Sequence, residues 1–278
     1  MTAQNLNQKI NRTVHPTILY TGTLNINRKK VDHLIEAFKI ISHKRKHDGS
    51  PVTAVDTAVQ VALQEALPKI LDAPVLGEEM SEDEQVALWE LRESGLWCVD
   101  PIDGTTNFVN GIPYFSISIA YFKGGEPVVG MVVNPMTQEI FSAELGAGAW
   151  LGAQRLSDKL PRHSELRDCV ASADFKRLPE VLKSRLVTYP PYASQRNFGS
   201  ACLEWCHVAS GLFDVYVHGN QKVWDFAAGA LILSESGGVM ETFQKGPFWN
   251  DGSLSRPIIA ARDPAIFKAW AKYIREAL

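Results

Sequence analysis

Two aspartates three residues apart, Asp100 and Asp103 in WCVDPIDGTTN, close an apolar run. Carboxylates that near repel each other unless something positive lies between them. Pro101 pushes Asp100 into an extended conformation and fixes its own φ. Continued pleating would send the two side chains to opposite faces. Convergence therefore predicts a turn immediately after Pro101, for which Gly104 supplies the freedom. With the backbone carbonyl of Ile102 between them, the pair makes an oxygen donor set suited to Mg²⁺. A solvated Asx-type turn is the plainer reading of a bare D-P-x-D. Two further acidic positions bear on the choice. LGEEM at 76–80 puts Glu78 and Glu79 at a strand-to-loop junction, and VWDFAAGALILSESGG at 223–238 sets Asp225 directly before a helix whose first N–H groups it could cap.

The elements that must position these groups follow from periodicity. Val31, Leu34, Ile35, Phe38 and Ile41 recur at helical spacing, predicting an amphipathic helix from Leu24 to His47 whose basic end, HKRKH, suits a helix C-terminus. A second helix is expected from Thr53 to about Ile70, with Val55, Val59, Ala62, Leu63, Ala66 and Leu67 on one face and Gly49-Ser50-Pro51 before it. Short apolar runs at 97–99, 115–122, 128–133 and 140–144 read as an antiparallel sheet. Strands at 169–172, 213–217, 239–243 and 257–261 alternate with helices near 200–210, 225–235 and 264–277. The fold class is therefore α+β or α/β, in layers. A tail is expected over 1–23, helices plus the antiparallel sheet with the metal motifs over 24–152, and an α/β half completing the site over 153–278.

A chain of 278 residues, 45% hydrophobic and 21% charged, can bury a core large enough for an enzyme. A net charge of −3 gives no footprint for nucleic acid, and no apolar run is long enough for a bilayer. The polar N-terminus lacks the features of a secretory signal, so the mature chain is expected to start near Met1, in the cytoplasm. Four scattered cysteines, Cys98, Cys169, Cys202 and Cys206, make no disulfide framework. Cys202 and Cys206 stand at helical spacing and read as buried helix-face thiols, with soft-metal chelation the rarer alternative.

GEE at 77–79, WCVDPIDGTTNF at 97–108, GSA at 199–201 and WDFAAG at 224–229 with SESGG downstream form, in order, a pattern that resembles the inositol monophosphatase family of Mg²⁺-dependent, lithium-sensitive phosphatases, a branch of the fructose-1,6-bisphosphatase-like superfamily. The resemblance spans about residues 30–275. It implies a layered αβαβα sandwich and a homodimer. It also implies that Glu78, Asp100, the Ile102 carbonyl, Asp103 and Asp225 are metal ligands, that Gly104 and Thr105 hold the substrate phosphate, and that Thr105 with Asp56 activates water. Four ligand carboxylates plus a phosphate dianion carry about −6, which two to three Mg²⁺ ions would largely balance.

The resemblance departs where substrate is chosen. His218 stands seven positions before Asp225, where inositol-binding members carry an acidic residue, so a carboxylate acceptor is lost. Arg196 matches a substrate-facing position in bacterial relatives. Thr106 follows DGT's first threonine where nucleotide and histidinol phosphatases of the superfamily carry lysine or arginine. Lys44 or Lys46 would match a lysine of the family's catalytic loop. The expected activity is hydrolysis of a small polyol or sugar phosphate, most simply inositol 1-phosphate. The alternatives are a nucleotide or histidinol phosphatase, or an accessory factor for transcription and ribosomal RNA maturation, although net acidity argues against direct RNA binding.

Overall fold

A computed structural model describes residues 43–45, 51–156, 162–249 and 252–278. Two short strands, β1 (His43–Arg45) and β2 (Pro51–Thr53), pair antiparallel, with His43 opposite Thr53. This corrects the expected helical end at HKRKH: residues 43–45 bond to a neighbouring strand, and pairing overrides the helical period there. The remainder of the expected 24–47 helix, the 1–23 tail and Lys46 lie outside the described residues.

Thr53 starts α1 (Ala54–Ala66) through a capping box in which its hydroxyl accepts from the Asp56 N–H and the Asp56 carboxylate accepts from the Thr53 N–H. After β3 (Val75–Gly77) and α2 (Glu82–Trp89) comes β4 (Leu96–Asp103), then the short α3 (Thr105–Val109). β5 (Ser116–Lys123), β6 (Glu126–Asn134), β7 (Glu139–Glu144), β8 (Gly148–Leu151) and β9 (Gln154–Arg155) complete a seven-stranded sheet in sequence order. Its pairs are antiparallel except β3 with β4.

The second half builds β10 (Val170–Ala173), α4 (Glu180–Thr188), β11 (Ser194–Arg196), α5 (Ala201–Ala209), β12 (Val215–Lys222), α6 (Val223–Glu235), β13 (Val239–Glu241), β14 (Ser255–Ala261) and α7 (Pro264–Arg275). Its five strands run β11-β10-β12-β14-β13. β10 is parallel to both neighbours, and β14 is antiparallel to both of its own.

Alternation along β4 shows how the layers form. Leu96 and Cys98 face a core shared with α5, α6 and the second sheet, while Trp97 and Val99 face a separate core under α1. A third core lies between the second sheet and α4 with α7, around Leu182, Leu186, Phe267 and Trp270. The order is helix, sheet, helix pair, sheet, helices, the expected sandwich. α6 is buried along nearly its whole length because it packs on both sheets, and Gly229 lets it approach α5, since a Cβ there would sit 2.4 Å from Trp205 Cβ. Among the described residues no helix is long and apolar enough to cross a membrane.

Candidate active site

The two aspartates do converge, but by a different device from the expected turn. β4 runs straight through Pro101, and its register against β5 slips between Asp100 and Asp103: three steps on β4 face two on β5. A β-bulge inserts one residue and so restores both carboxylates to one face. The Ile102 N–H donates to Asp100 Oδ1 at 3.0 Å, which braces the bulge from within. The chain turns at Gly104, whose φ of +91° is left-handed, and whose Cβ position would lie 3.0 Å from the Gly199 carbonyl.

Asp103 is held hardest. Its Oδ2 accepts from the Ser200 hydroxyl at 2.6 Å, from the Cys202 N–H at 2.7 Å and from the Ser116 hydroxyl at 3.4 Å. Thr105 Oγ1 donates within reach of the Ile102 carbonyl at 3.0 Å and of Asp56 Oδ1 at 3.4 Å, so the Ile102 carbonyl already has one partner. Asp225 lies in the first turn of α6, one turn further in than a cap, and its Oδ2 accepts the Lys222 N–H at 3.1 Å. The expectation that it immediately precedes the helix is corrected: the helix begins at Val223, where Lys222 breaks from the strand. The Glu78 N–H bonds the Val99 carbonyl at 3.3 Å, tying the GEE loop to β4.

Crowded negative charge raises two of the carboxyls. Asp100 is driven well above the usual carboxylate range, first by burial and then by the charges of Glu78, Asp103 and Asp225. Asp225 is driven up likewise, by burial, Asp103 and Glu78, against the pull of the Lys222 N–H and Arg177. Burial also raises Asp103, whose bonds from Ser200 and Cys202 oppose it. Asp56 rises by burial, resisted by Thr53. Hard oxygen donors that penalise each other's ionisation fit a divalent cation of the Mg²⁺ type. The Cys202 thiol belongs to the same cluster, within 4.8 Å of ligand atoms of Asp100 and Asp103.

The two residues expected to face substrate are placed differently. His218, midway along β12, is buried, accepts the Asn220 N–H on Nδ1 at 3.2 Å, and has Nε2 3.7 Å from Asp174. Burial lowers its pKa to about 4, so it is neutral at neutral pH. Arg196 is exposed and folds back on its own strand, donating to Ser194 Oγ at 2.7 Å and the Gln195 carbonyl at 2.8 Å.

Several residues that hold the site gave no sequence signal. Gln60 accepts the Glu79 N–H, and Gln85 donates to the Gly77, Glu78 and Met80 carbonyls, so two amides fix the GEE loop. Buried Glu204 accepts the Phe198 N–H at 2.8 Å, the Gly199 N–H at 3.3 Å and the Ser172 hydroxyl at 2.9 Å, fixing the loop that covers Gly104. Only the polar spacing before a helix, N-F-G-S, could have hinted at that loop.

Two sheets enclosing a helix pair, with an acidic centre where β3, β4 and α6 meet, define a layered α/β sandwich built around clustered carboxylates. The chain belongs to the inositol monophosphatase family, whose model matches residues 22–278. It is 36% identical over 200 residues to an inositol-1-monophosphatase of Caulobacter vibrioides, covering 70% of this chain and 76% of that protein. It is 35% identical over 234 residues to the Nus factor SuhB of Pasteurella multocida, covering 82% and 83%. Among solved structures, a staphylococcal inositol monophosphatase in a lithium chloride-soaked inhibitory complex matches with a TM-score of 0.76 at 25% identity, covering 98% of this chain and 95% of that one.

Proposed function

We propose that the protein is a Mg²⁺-dependent phosphomonoesterase acting on a small polyol or sugar phosphate, most simply inositol 1-phosphate. The observation that carries this reading is the convergence of Asp100 and Asp103 beside Glu78 and Asp225, in which the charges of Glu78 and its neighbours drive up the carboxyls of Asp100 and Asp225. Glu78, Asp100, Asp103, Asp225 and the Ile102 carbonyl would hold Mg²⁺. When bound, Mg²⁺ would neutralise the phosphoryl oxygens and the departing alkoxide. Thr105 and Asp56 form the proton path. The hydroxyl takes a proton from the attacking water and passes its own to Asp56 Oδ1, 3.4 Å away, a carboxylate kept basic by burial. Gly104 lets the chain turn into α3, whose first-turn N–H groups have no intrahelical acceptor and suit a phosphate dianion. The family resemblance alone assigns His218 and Arg196 to the alcohol side of the substrate; the one is buried beside Asp174 and the other bonds its own strand.

Phosphate release from inositol 1-phosphate and a panel of sugar, nucleotide and histidinol phosphates, with and without Mg²⁺, tests this directly. Turnover that needs Mg²⁺ and favours polyol phosphates is expected. Equal turnover in EDTA, or none on any monoester, would overturn the assignment. The similarity to Nus factor SuhB favours a second reading, an accessory role in transcription in which catalysis is dispensable. Retention of that role in a Thr105→Ala strain would support it, and loss would tie the role to catalysis.

A further inference from the structure

We propose that His163, Cys169 and Asp214 form a second metal site, for Zn²⁺ or a similar borderline divalent cation, at the end of the five-stranded sheet remote from the acidic centre. One ligand atom from each residue lies within 4.8 Å of the others. Around a tetrahedral Zn²⁺ such atoms stand about 3.3–3.7 Å apart; His163 Nδ1 and Asp214 Oδ2, at 3.0 Å, are already that near, and Cys169 Sγ, within 4.8 Å, needs to close by at most roughly 1 Å. An imidazole, a thiolate and a carboxylate are borderline ligands together, unlike the all-oxygen set near β4. β12 runs from beside Asp214 toward Asp225, and its eight residues at roughly 3.3 Å each separate the two sites by about 25 Å.

The scaffold is already formed. Asp214 is pinned at the start of β12: its N–H donates to the Val170 carbonyl at 2.9 Å, its carbonyl accepts the Arg262 N–H at 2.9 Å, and its Oδ2 accepts the Val170 N–H at 2.7 Å and pairs with His163 Nδ1 at 3.0 Å. Cys169 ends the turn of residues Leu166–Asp168 and leads into β10, its Sγ 3.4 Å from the Glu165 carbonyl. The fourth position falls to water or to that carbonyl. A path in exists, since the His163 side chain is 32% exposed while Cys169 is fully covered. The local field favours a cation, since the carboxylates of Asp214, Asp168 and Asp263 all act on the thiol. A divalent ion replaces the thiol proton, which leaves to solvent as the metal–sulfur bond forms.

The test uses the full chain, stripped with EDTA and titrated with Co²⁺ under saturating Mg²⁺, reading the sulfur-to-cobalt charge-transfer absorption. Uptake of about one thiolate-bound Co²⁺ per chain is expected. The band should survive Cys202→Ser, which removes the thiol beside Asp100 and Asp103, and vanish in Cys169→Ser. His163→Gln, at a partly exposed side chain, carries the test if the buried serine variant fails to fold. It should weaken Co²⁺ binding by more than about 100-fold, beyond the cost of losing an outer partner. Absence of the band, its loss in Cys202→Ser alone, or unchanged affinity in His163→Gln would each show that the three side chains are only a His–Asp pair beside an inert core thiol.

Discussion

Thr105 holds one proton between two acceptors, Ile102 O at 3.0 Å and Asp56 Oδ1 at 3.4 Å. The hydroxyl is the only polar atom its side chain offers, and it carries no charge, so its removal isolates the proton path from cation binding. Thr105→Ala is expected to lower kcat by about 10²- to 10⁴-fold with Mg²⁺ affinity unchanged, measured by steady-state kinetics beside calorimetric titration. An unchanged kcat would remove Thr105 and Asp56 from the chemistry. Asp103→Asn separates the same two quantities from the other side. The amide oxygen can keep the bonds from Ser200 and the Cys202 N–H, so the fold is expected to survive, while the lost charge is expected to lower Mg²⁺ affinity and turnover together, read by the same titration and kinetics. His218 is a residue whose surroundings a sequence cannot supply. Read along the chain it is a neutral substitute for a carboxylate, yet Asp174, from a separate strand end, lies 3.7 Å from its ring. A glutamate placed there would face Asp174 but also Arg177, so the ring sits between charges of both signs.

At the scale of elements, the period-2 and period-3.6 patterns located the major strands and helices because each buries one face against a neighbouring layer. Three features had no such signature, among them α4, which buries only Leu182 and Leu186 and was not expected. The β-bulge at Asp100–Asp103 depends on the register of β5, a partner more than ten residues away, so only the result of the bulge, convergent carboxylates, could be anticipated. α2 was invisible for a different reason: it buries only Gln85 and Trp89 and has no apolar face to betray it, while Gln85 spends its amide on the GEE loop. The covering loop at 197–200 rests on Glu204, whose carboxyl is raised to about 7, chiefly by burial. An acid whose folded pKa is raised binds more protons folded than unfolded, so its contribution to stability is greatest below the unfolded value of about 4.3 and is lost as pH rises through about 7. Glu204→Gln keeps the acceptor for Phe198 and Gly199 without the titration. It is expected to flatten the decline in stability across this window by up to about 1.4 kcal/mol per pH unit, read from urea melts at a series of pH values. An identical slope in the two proteins would show that Glu204 titrates normally.

For the whole molecule, the acidic centre opposes folding. Asp100 and Asp225 are raised by burial and by each other's neighbours, so without a cation the sandwich loses stability as pH rises from acid toward neutral. Mg²⁺ bound to the folded chain alone would add RT ln(1 + [L]/Kd), about 2.7 kcal/mol at one hundred times Kd. The layers that converge the carboxylates hold a repulsive cluster, and under the proposed function a bound cation would turn that repulsion into binding energy. Asp100→Asn separates the two effects. Its amide oxygen can keep the bond from the Ile102 N–H, while one charge leaves the cluster. In EDTA at neutral pH the variant is expected to melt higher than the parent by a few degrees, since a gain of about 1 kcal/mol moves the melting temperature of a chain somewhat shorter than this one by roughly 2–4 °C. In saturating Mg²⁺ the order should reverse, because the parent gains stabilisation that the variant has lost. Differential scanning calorimetry of both proteins, with and without Mg²⁺, reads all four values. A variant that melts lower than the parent in EDTA would mean that Asp100 stabilises the fold by itself, and that the carboxylates are not held together against their own repulsion.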